Sequence, residues 1–166
     1  MGDAEGPAED SLLAHHPSLA EAFSRAVRDE GAGAMASRLV TGTRREHSCL
    51  EEALAALKGT EAAVSFSSGY ATSLGVIASI ADREDTVLMD KLSHASLIDG
   101  IRLSAAKCIR YRHNDLAQLE RLLKEHHSAF RQIIIVTESI FSMDGDQADL
   151  PALAELKRRY GNVLLY

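Results

Sequence analysis

Apolar and polar positions along the chain change rhythm near residue 60. Before that point the apolar repeats are helical. Leu50, Leu54 and Leu57 recur at the three- and four-residue steps of one helix face. Thr43-Arg44-Arg45-Glu46 fits a capping box that opens this helix, and Gly59 ends it. A shorter helix is predicted over Leu19–Arg28, closed by Gly31-Ala32-Gly33. Residues 1–17 are polar, contain Pro7 and Pro17, and read as a loose arm. After Gly59 short apolar runs alternate with helical stretches. Strands are predicted at Ala62–Phe66, Thr86–Asp90, Lys107–Tyr111, Gln132–Glu138 and Asn162–Tyr166. Helices are predicted at Gly69–Ile80, His94–Ser104, Leu116–Glu125 and Leu150–Tyr160. Ile133-Ile134-Ile135-Val136 is an unbroken β-branched run, which suits a strand buried on both faces. This alternation predicts a three-layer α/β fold with a mostly parallel sheet and right-handed crossovers. The helices after Ser68 and Ser93 should then start at one common sheet edge.

The final run has no closing turn and no following helix, so the sequence reads as a piece of a longer protein. Charge and composition narrow the partners. The net charge is −6, with no basic excess to grip a phosphate backbone, so nucleic acid is not an expected partner. No apolar stretch approaches the ~18 residues of a membrane span. The acidic start lacks the apolar core of a signal peptide, and position 6 is Gly6 where myristoylation needs Ser or Thr. Cys49 and Cys108 have no metal or redox spacing and are expected to be small buried thiols in a reducing compartment. The expectation is a cytoplasmic protein.

Candidate chemistry clusters past the carboxyl ends of the predicted strands, where open α/β sheets place their ligands. Ser67-Ser68-Gly69-Tyr70 joins a strand to a helix. A helix start offers free N–H groups and positive dipole, so the turn is either a phosphate seat or an ordinary serine-capped turn. No dinucleotide or P-loop glycine pattern is present. His94 follows the Thr86–Asp90 strand, where a flat ring could stack on a planar cofactor or simply face solvent. His15-His16, His47 and His126-His127 favour the plainer reading, and no pair has zinc spacing, so no metal is assigned. Glu138 closes the buried strand, Ser142 is a candidate hydroxyl donor, and Asp144-Gly145-Asp146 reads as a tight turn. The EF-hand pattern fails here, and Asp149 with Pro151 opens the next helix instead.

Taken together these segments resemble the α-oxoamine synthases, PLP-dependent enzymes of fold type I. The strings that carry the resemblance are Ser37-Arg38-Leu39-Val40-Thr41-Gly42-Thr43, His47 with Leu50-Glu51, Phe66-Ser67-Ser68-Gly69-Tyr70-Ala71, Asp90-Lys91-Leu92-Ser93-His94-Ala95-Ser96, His113-Asn114-Asp115, and Thr137 to Asp146. Their occurrence together and in order is specific; any one alone is weak. The resemblance runs from about Ala32 to Tyr166. It implies an N-terminal arm and helix over 1–30 and an incomplete PLP-binding large domain over 31–166. It implies pyridoxal 5'-phosphate as cofactor, with Ser68, Gly69 and Tyr70 holding the phosphate and bordering the ring. His94 would stack on the pyridine ring as the catalytic histidine, Ser142 would lie near the phenolic oxygen, and Glu138 would stand in the inner wall.

The implied reaction is a decarboxylative condensation of an amino acid with an acyl-CoA, leaning toward the 8-amino-7-oxononanoate synthases of biotin synthesis. The implied assembly of the complete protein is a homodimer. Two alternatives stay open: another fold-type-I enzyme such as an aminotransferase, or a non-catalytic subunit. The Ser93-His94-Ala95-Ser96 string speaks against an aminotransferase. The chain departs from the family at Gly33-Ala34-Met35-Ala36, where a glycine- and serine-rich run is usual, and in lacking the N-terminal Asn-Asp-Tyr-Leu-Gly segment. None of Lys58, Lys91, Lys107, Lys124 or Lys157 sits in the family's lysine motif. The chain alone is therefore expected to be inactive and to bind the cofactor poorly.

Overall fold

A computed structural model describes residues 14–166, so expectations for Pro7 and the acidic start lie outside the described residues. The chain divides into two compact units, Met1–Val64 and Ser65–Tyr166.

In the first unit α1 spans Pro17–Glu30. Pro17 therefore opens a helix instead of closing an arm, because a first-turn residue needs no free N–H. His16 caps it, with Nδ1 accepting the Ser18 N–H at 3.3 Å. Gly31 ends it at φ 82°, as the glycine punctuation predicted. A π-helical turn covers Arg38–Gly42, and a side chain at Gly42 would meet the Ala36 carbonyl oxygen at 1.9 Å. Helix α2 spans Arg45–Lys58 and ends at Gly59, φ 64°. Its cap residue is Arg44, not Thr43. The Thr43 hydroxyl is used elsewhere, donating to the Arg38 carbonyl at 2.7 Å, while His47 Nδ1 accepts the Arg44 N–H at 3.1 Å.

The second unit contains α3 (Gly69–Ile80), β1 (Thr86–Asp90), α4 (Ala95–Ser104), β2 (Lys107–Tyr111), α5 (Leu116–His126), β3 (Ile133–Val136), α6 (Leu150–Arg159) and β4 (Val163–Leu165). The four strands are all parallel, in the order β2-β1-β3-β4. Parallel neighbours force crossovers, and the intervening helices supply them. The stretch Ala62–Phe66 does not form the expected strand. Its one ring is used otherwise: Phe66 Cε1 covers Gly75 in α3, 2.9 Å from where a side chain would begin.

Alternation in the strands separates two cores. Leu88, Ile133 and Ile135 pack with Leu119 and Leu123 of α5 and Leu153 and Leu156 of α6. Val87, Met89, Ile134 and Val136 pack on the other face with Ile77 of α3 and Leu97 and Ile101 of α4. That is the three-layer arrangement the rhythm predicted. Each buried aliphatic side chain contributes about 2 kcal/mol. Helices α3 and α4 approach closely because Gly100 has no side chain; a methyl there would lie 2.5 Å from the Ser73 carbonyl oxygen. Among the described residues no helix is long and apolar enough to cross a membrane.

Candidate functional site

Asp90, the last residue of β1, is fully buried, and its Oδ1 accepts the Leu92 N–H at 2.9 Å. The Ser93 N–H donates to the Asp90 carbonyl at 3.2 Å. This turn delivers His94 as the cap of α4, exposed at the carboxyl edge of the sheet. The ring is held from its own helix: Nδ1 accepts the Ser96 N–H at 3.2 Å and lies 2.8 Å from Ser96 Oγ. With Nδ1 accepting, the proton of the neutral ring sits on Nε2.

Glu138 follows β3 and reaches back 44 residues, its Oε1 accepting the His94 N–H at 2.5 Å. It thus holds the cap residue rather than standing free. The Ser68–Gly69 turn opens α3, with Ser68 Oγ accepting the Ala71 N–H at 3.1 Å. The amides of Gly69 and Tyr70 come too early to have an intrahelical acceptor. Nothing lies within 4 Å of where a Gly69 side chain would begin, so the turn is open above its donors. A buried hydroxyl chain joins the two segments. Ser96 Oγ donates to Ser73 Oγ at 3.0 Å, and Ser73 Oγ donates to the Gly69 carbonyl at 3.2 Å.

Tyr70 does not offer its hydroxyl to the turn. It donates to Asp99 Oδ2 at 2.8 Å, which also raises its pKa above the ordinary tyrosine value. Ser142 lies exposed in the hairpin that follows Glu138. The hairpin is closed by Phe141 N–H to the Asp146 carbonyl at 2.9 Å and turned at Gly145, φ 70°. Among the described residues Ser142 makes no hydrogen bond to Ser68, Gly69, His94 or Glu138. The structure therefore joins His94, Glu138 and the Gly69 turn through hydrogen bonds, while Ser142 stands on the hairpin tip with no hydrogen bond to them. The hydroxyl of Ser93, next to His94, is buried without a partner.

Sequence reasoning gave His113 no role, although it stood in a matching string. Its Nδ1 lies 2.9 Å from Asp90 Oδ1 and its Nε2 2.7 Å from Asp146 Oδ2. These partners are 23 and 33 residues away, so no local spacing announces them. Asp144 brings a third carboxylate within 4.8 Å of the group. Both thiols depart from expectation. Cys49 and Cys108 are exposed, Cys108 because it shares the outward face of the edge strand β2 with Arg110. A concavity of about 590 Å³ lies at the amino edge of the sheet beside Asp82, Arg131 and Asn162.

The chain is 55% identical over 153 residues to an 8-amino-7-oxononanoate synthase of Geobacter sulfurreducens, covering 92% of this chain and 39% of that protein. It is 54% identical to a putative 8-amino-7-oxononanoate synthase of Geobacillus kaustophilus, again over 92% of this chain and 39% of the relative. The chain thus spans about two fifths of the length of the curated relatives it matches. A solved serine palmitoyltransferase from S. paucimobilis, with a bound PLP-myriocin aldimine, superposes with a TM-score of 0.87 at 31% identity, over 92% of this chain and 39% of that one. An 8-amino-7-oxononanoate synthase of Francisella tularensis superposes with a TM-score of 0.74 at 30% identity, over 87% and 39%. The family described as aminotransferase class I and II matches residues 9–166, nearly the whole chain, and the chain belongs to that family.

Proposed function

We propose that the chain supplies the ring-stacking and phosphate-holding part of a PLP-dependent α-oxoamine synthase, one that condenses an amino acid with an acyl-CoA and releases carbon dioxide and CoA. The observation that carries the reading is the hydrogen-bonded chain from His94 Nδ1, which accepts the Ser96 N–H, through the Ser96 hydroxyl and Ser73 to the Gly69 carbonyl. It fixes a flat ring relative to a helix start with free donors. A planar, phosphorylated cofactor needs that pair of features. The names of the relatives support the same reading, with biotin synthesis as the favoured context.

The residues fit such a cofactor. The Gly69 and Tyr70 amides and the α3 dipole would hold the phosphate, and the missing side chain of Gly69 leaves room for close approach. His94 would cover one face of the ring and keep water from it. Glu138 holds the His94 backbone, so the imidazole keeps its height above the turn. Ser142, exposed on its tip, would donate its hydroxyl to the phenolic oxygen. Tyr70, with its hydroxyl committed to Asp99, would border the ring by its apolar face. When bound, PLP supplies the electron sink for the carbanion of the condensation.

A chimera tests this. Residues 14–166 would replace the matching segment of the Geobacter sulfurreducens 8-amino-7-oxononanoate synthase, and CoA release from an acyl-CoA would be followed with and without amino acid. The expected result is amino-acid-dependent CoA release that His94→Ala lowers about 100-fold with a smaller change in PLP affinity. A chimera that folds and binds PLP yet releases no CoA would instead mark the chain as part of a non-catalytic subunit.

A further inference from the structure

The Asp90–His113–Asp146 network spans three connections at the carboxyl edge of the sheet. Asp90 ends β1, four residues before His94. His113 follows β2, and Asp146 closes the hairpin that begins after Glu138. Asp90 is fully buried; its Oδ1 accepts the Leu92 N–H and its Oδ2 the Asn114 N–H, each at 2.9 Å, and His113 Nδ1 lies 2.9 Å from Oδ1. Asn114 bends into the left-handed region, φ 53°, so that its Nδ2 also donates to Asp146 Oδ2 at 2.7 Å and to the Gln147 carbonyl at 3.3 Å. The His113 ring meets Phe141 edge-on, with centroids 4.5 Å apart at 89°.

We infer that His113 is a positioning residue, a staple that fixes the Glu138–Ser142 segment against the end of β1 from which His94 projects. Both ring nitrogens face a carboxylate oxygen, and ionised carboxylates only accept. A ring with one proton would satisfy one of them and set a lone pair against the other. The imidazolium donates to both. Its charge is therefore part of the staple, and a buried carboxylate such as Asp90 needs such a partner. The other titratable groups facing the network are Asp144 on the hairpin and Tyr111 of β2. Tyr111 lies beside Asp90 and is pushed up to about 12, mainly by burial. None of these is a competing cation. The His113 pKa is raised above its ordinary value, first by the bond to Asp90 and then by that to Asp146. The staple is thus complete below about pH 6.5, the ordinary histidine value, and weakens as pH rises through the higher folded-state value.

The role for ring stacking rests on the proposed function; the staple itself does not, and the test separates them. Amide exchange on the isotope-labelled chain reads the His94 N–H, which donates to Glu138. His113→Gln and Asp146→Asn should each lower its protection about tenfold. The Leu88 and Ile135 amides in the strands should change by less than about twofold. Asp146→Asn leaves the buried Asp90–His113 pair intact and serves if His113→Gln fails to fold. In the unaltered chain, protection at His94 should fall as pH rises through the His113 titration, followed by the ring's own NMR signals, and this step should vanish in His113→Gln. A PLP titration adds a second arm: His113→Gln should weaken PLP binding in the unaltered background but not in Glu138→Ala. Unchanged His94 protection in both variants, or equal loss in the strands, would overturn the staple. Failure of the chimera described above to bind PLP would overturn the proposed function, and the exchange data on the chain would still decide the staple.

Discussion

Asp85 shows how a single residue outside the site sets the frame for it. It is fully buried at the amino end of the sheet, and Arg131 grips it with two bonds of 3.0 and 2.6 Å. Its carboxyl pKa is lowered, first by that grip, although burial pulls the other way. A lowered carboxylate contributes stability above its unfolded value, near pH 4, and loses it as pH falls through the folded value. Asp85→Asn should cost about 1–2 kcal/mol at neutral pH, modest because half of Arg131 faces solvent, and the gap to the unaltered chain should close toward pH 2 in urea titrations. A gap that stays constant down to pH 2 would deny the charge its part. At this scale His94 and Glu138 were singled out by residue type and strand-end position together, whereas Ser68 and Gly69 follow no strand and were singled out by residue type and the helix start alone. The hydroxyl chain through Ser73 and Ser96, and the His113 staple, were not legible, because each depends on partners brought together by the fold. The cysteines show the same limit: an apolar residue in a predicted strand is buried only if the strand is covered, and Cys108 sits on the uncovered face of an edge.

The elements follow their sequence signals most closely where a cap and a periodic face agree. Asp115 Oδ1 accepts the Gln118 N–H at 2.8 Å to start α5, and Asp149 Oδ1 the Ala152 N–H at 3.0 Å to start α6. Each lies at the predicted boundary. The capping box at Thr43 failed because its hydroxyl found a carbonyl in the π-helical turn, a competitor that no local pattern reveals. The strand expected at Ala62–Phe66 did not form, since strand propensity depends more on context than helix propensity does. Elements also meet by close approach, and Gly100 marks the closest contact between α3 and α4. Gly100→Ala should destabilise the chain by about 1–3 kcal/mol, since the obstacle is the Ser73 backbone rather than a flexible side chain. Because Ser73 also carries the hydroxyl chain to His94, the same variant should shift the His94 ring signals. Stability within about 0.5 kcal/mol of the unaltered chain would show that the two helices can part without cost.

At the scale of the whole molecule, two core faces and a parallel sheet of four strands present one edge on which His94, Glu138 and the Gly69 turn are linked. The alternation of strands and helices made that architecture readable, and the ordered strings made the family readable. The change of rhythm near residue 60 lies close to the division of the chain at Val64. In the proposed function this edge holds the phosphate and covers the ring of PLP. Chemical-shift mapping of the labelled chain during a PLP titration tests it most directly, with inorganic phosphate as a second titrant. The account predicts saturable shifts at the Ser68, Gly69 and Tyr70 amides with either titrant, and shifts at the His94 ring with PLP alone. Saturable shifts confined to surface lysines, or a His94 ring that does not respond while the turn does, would contradict it.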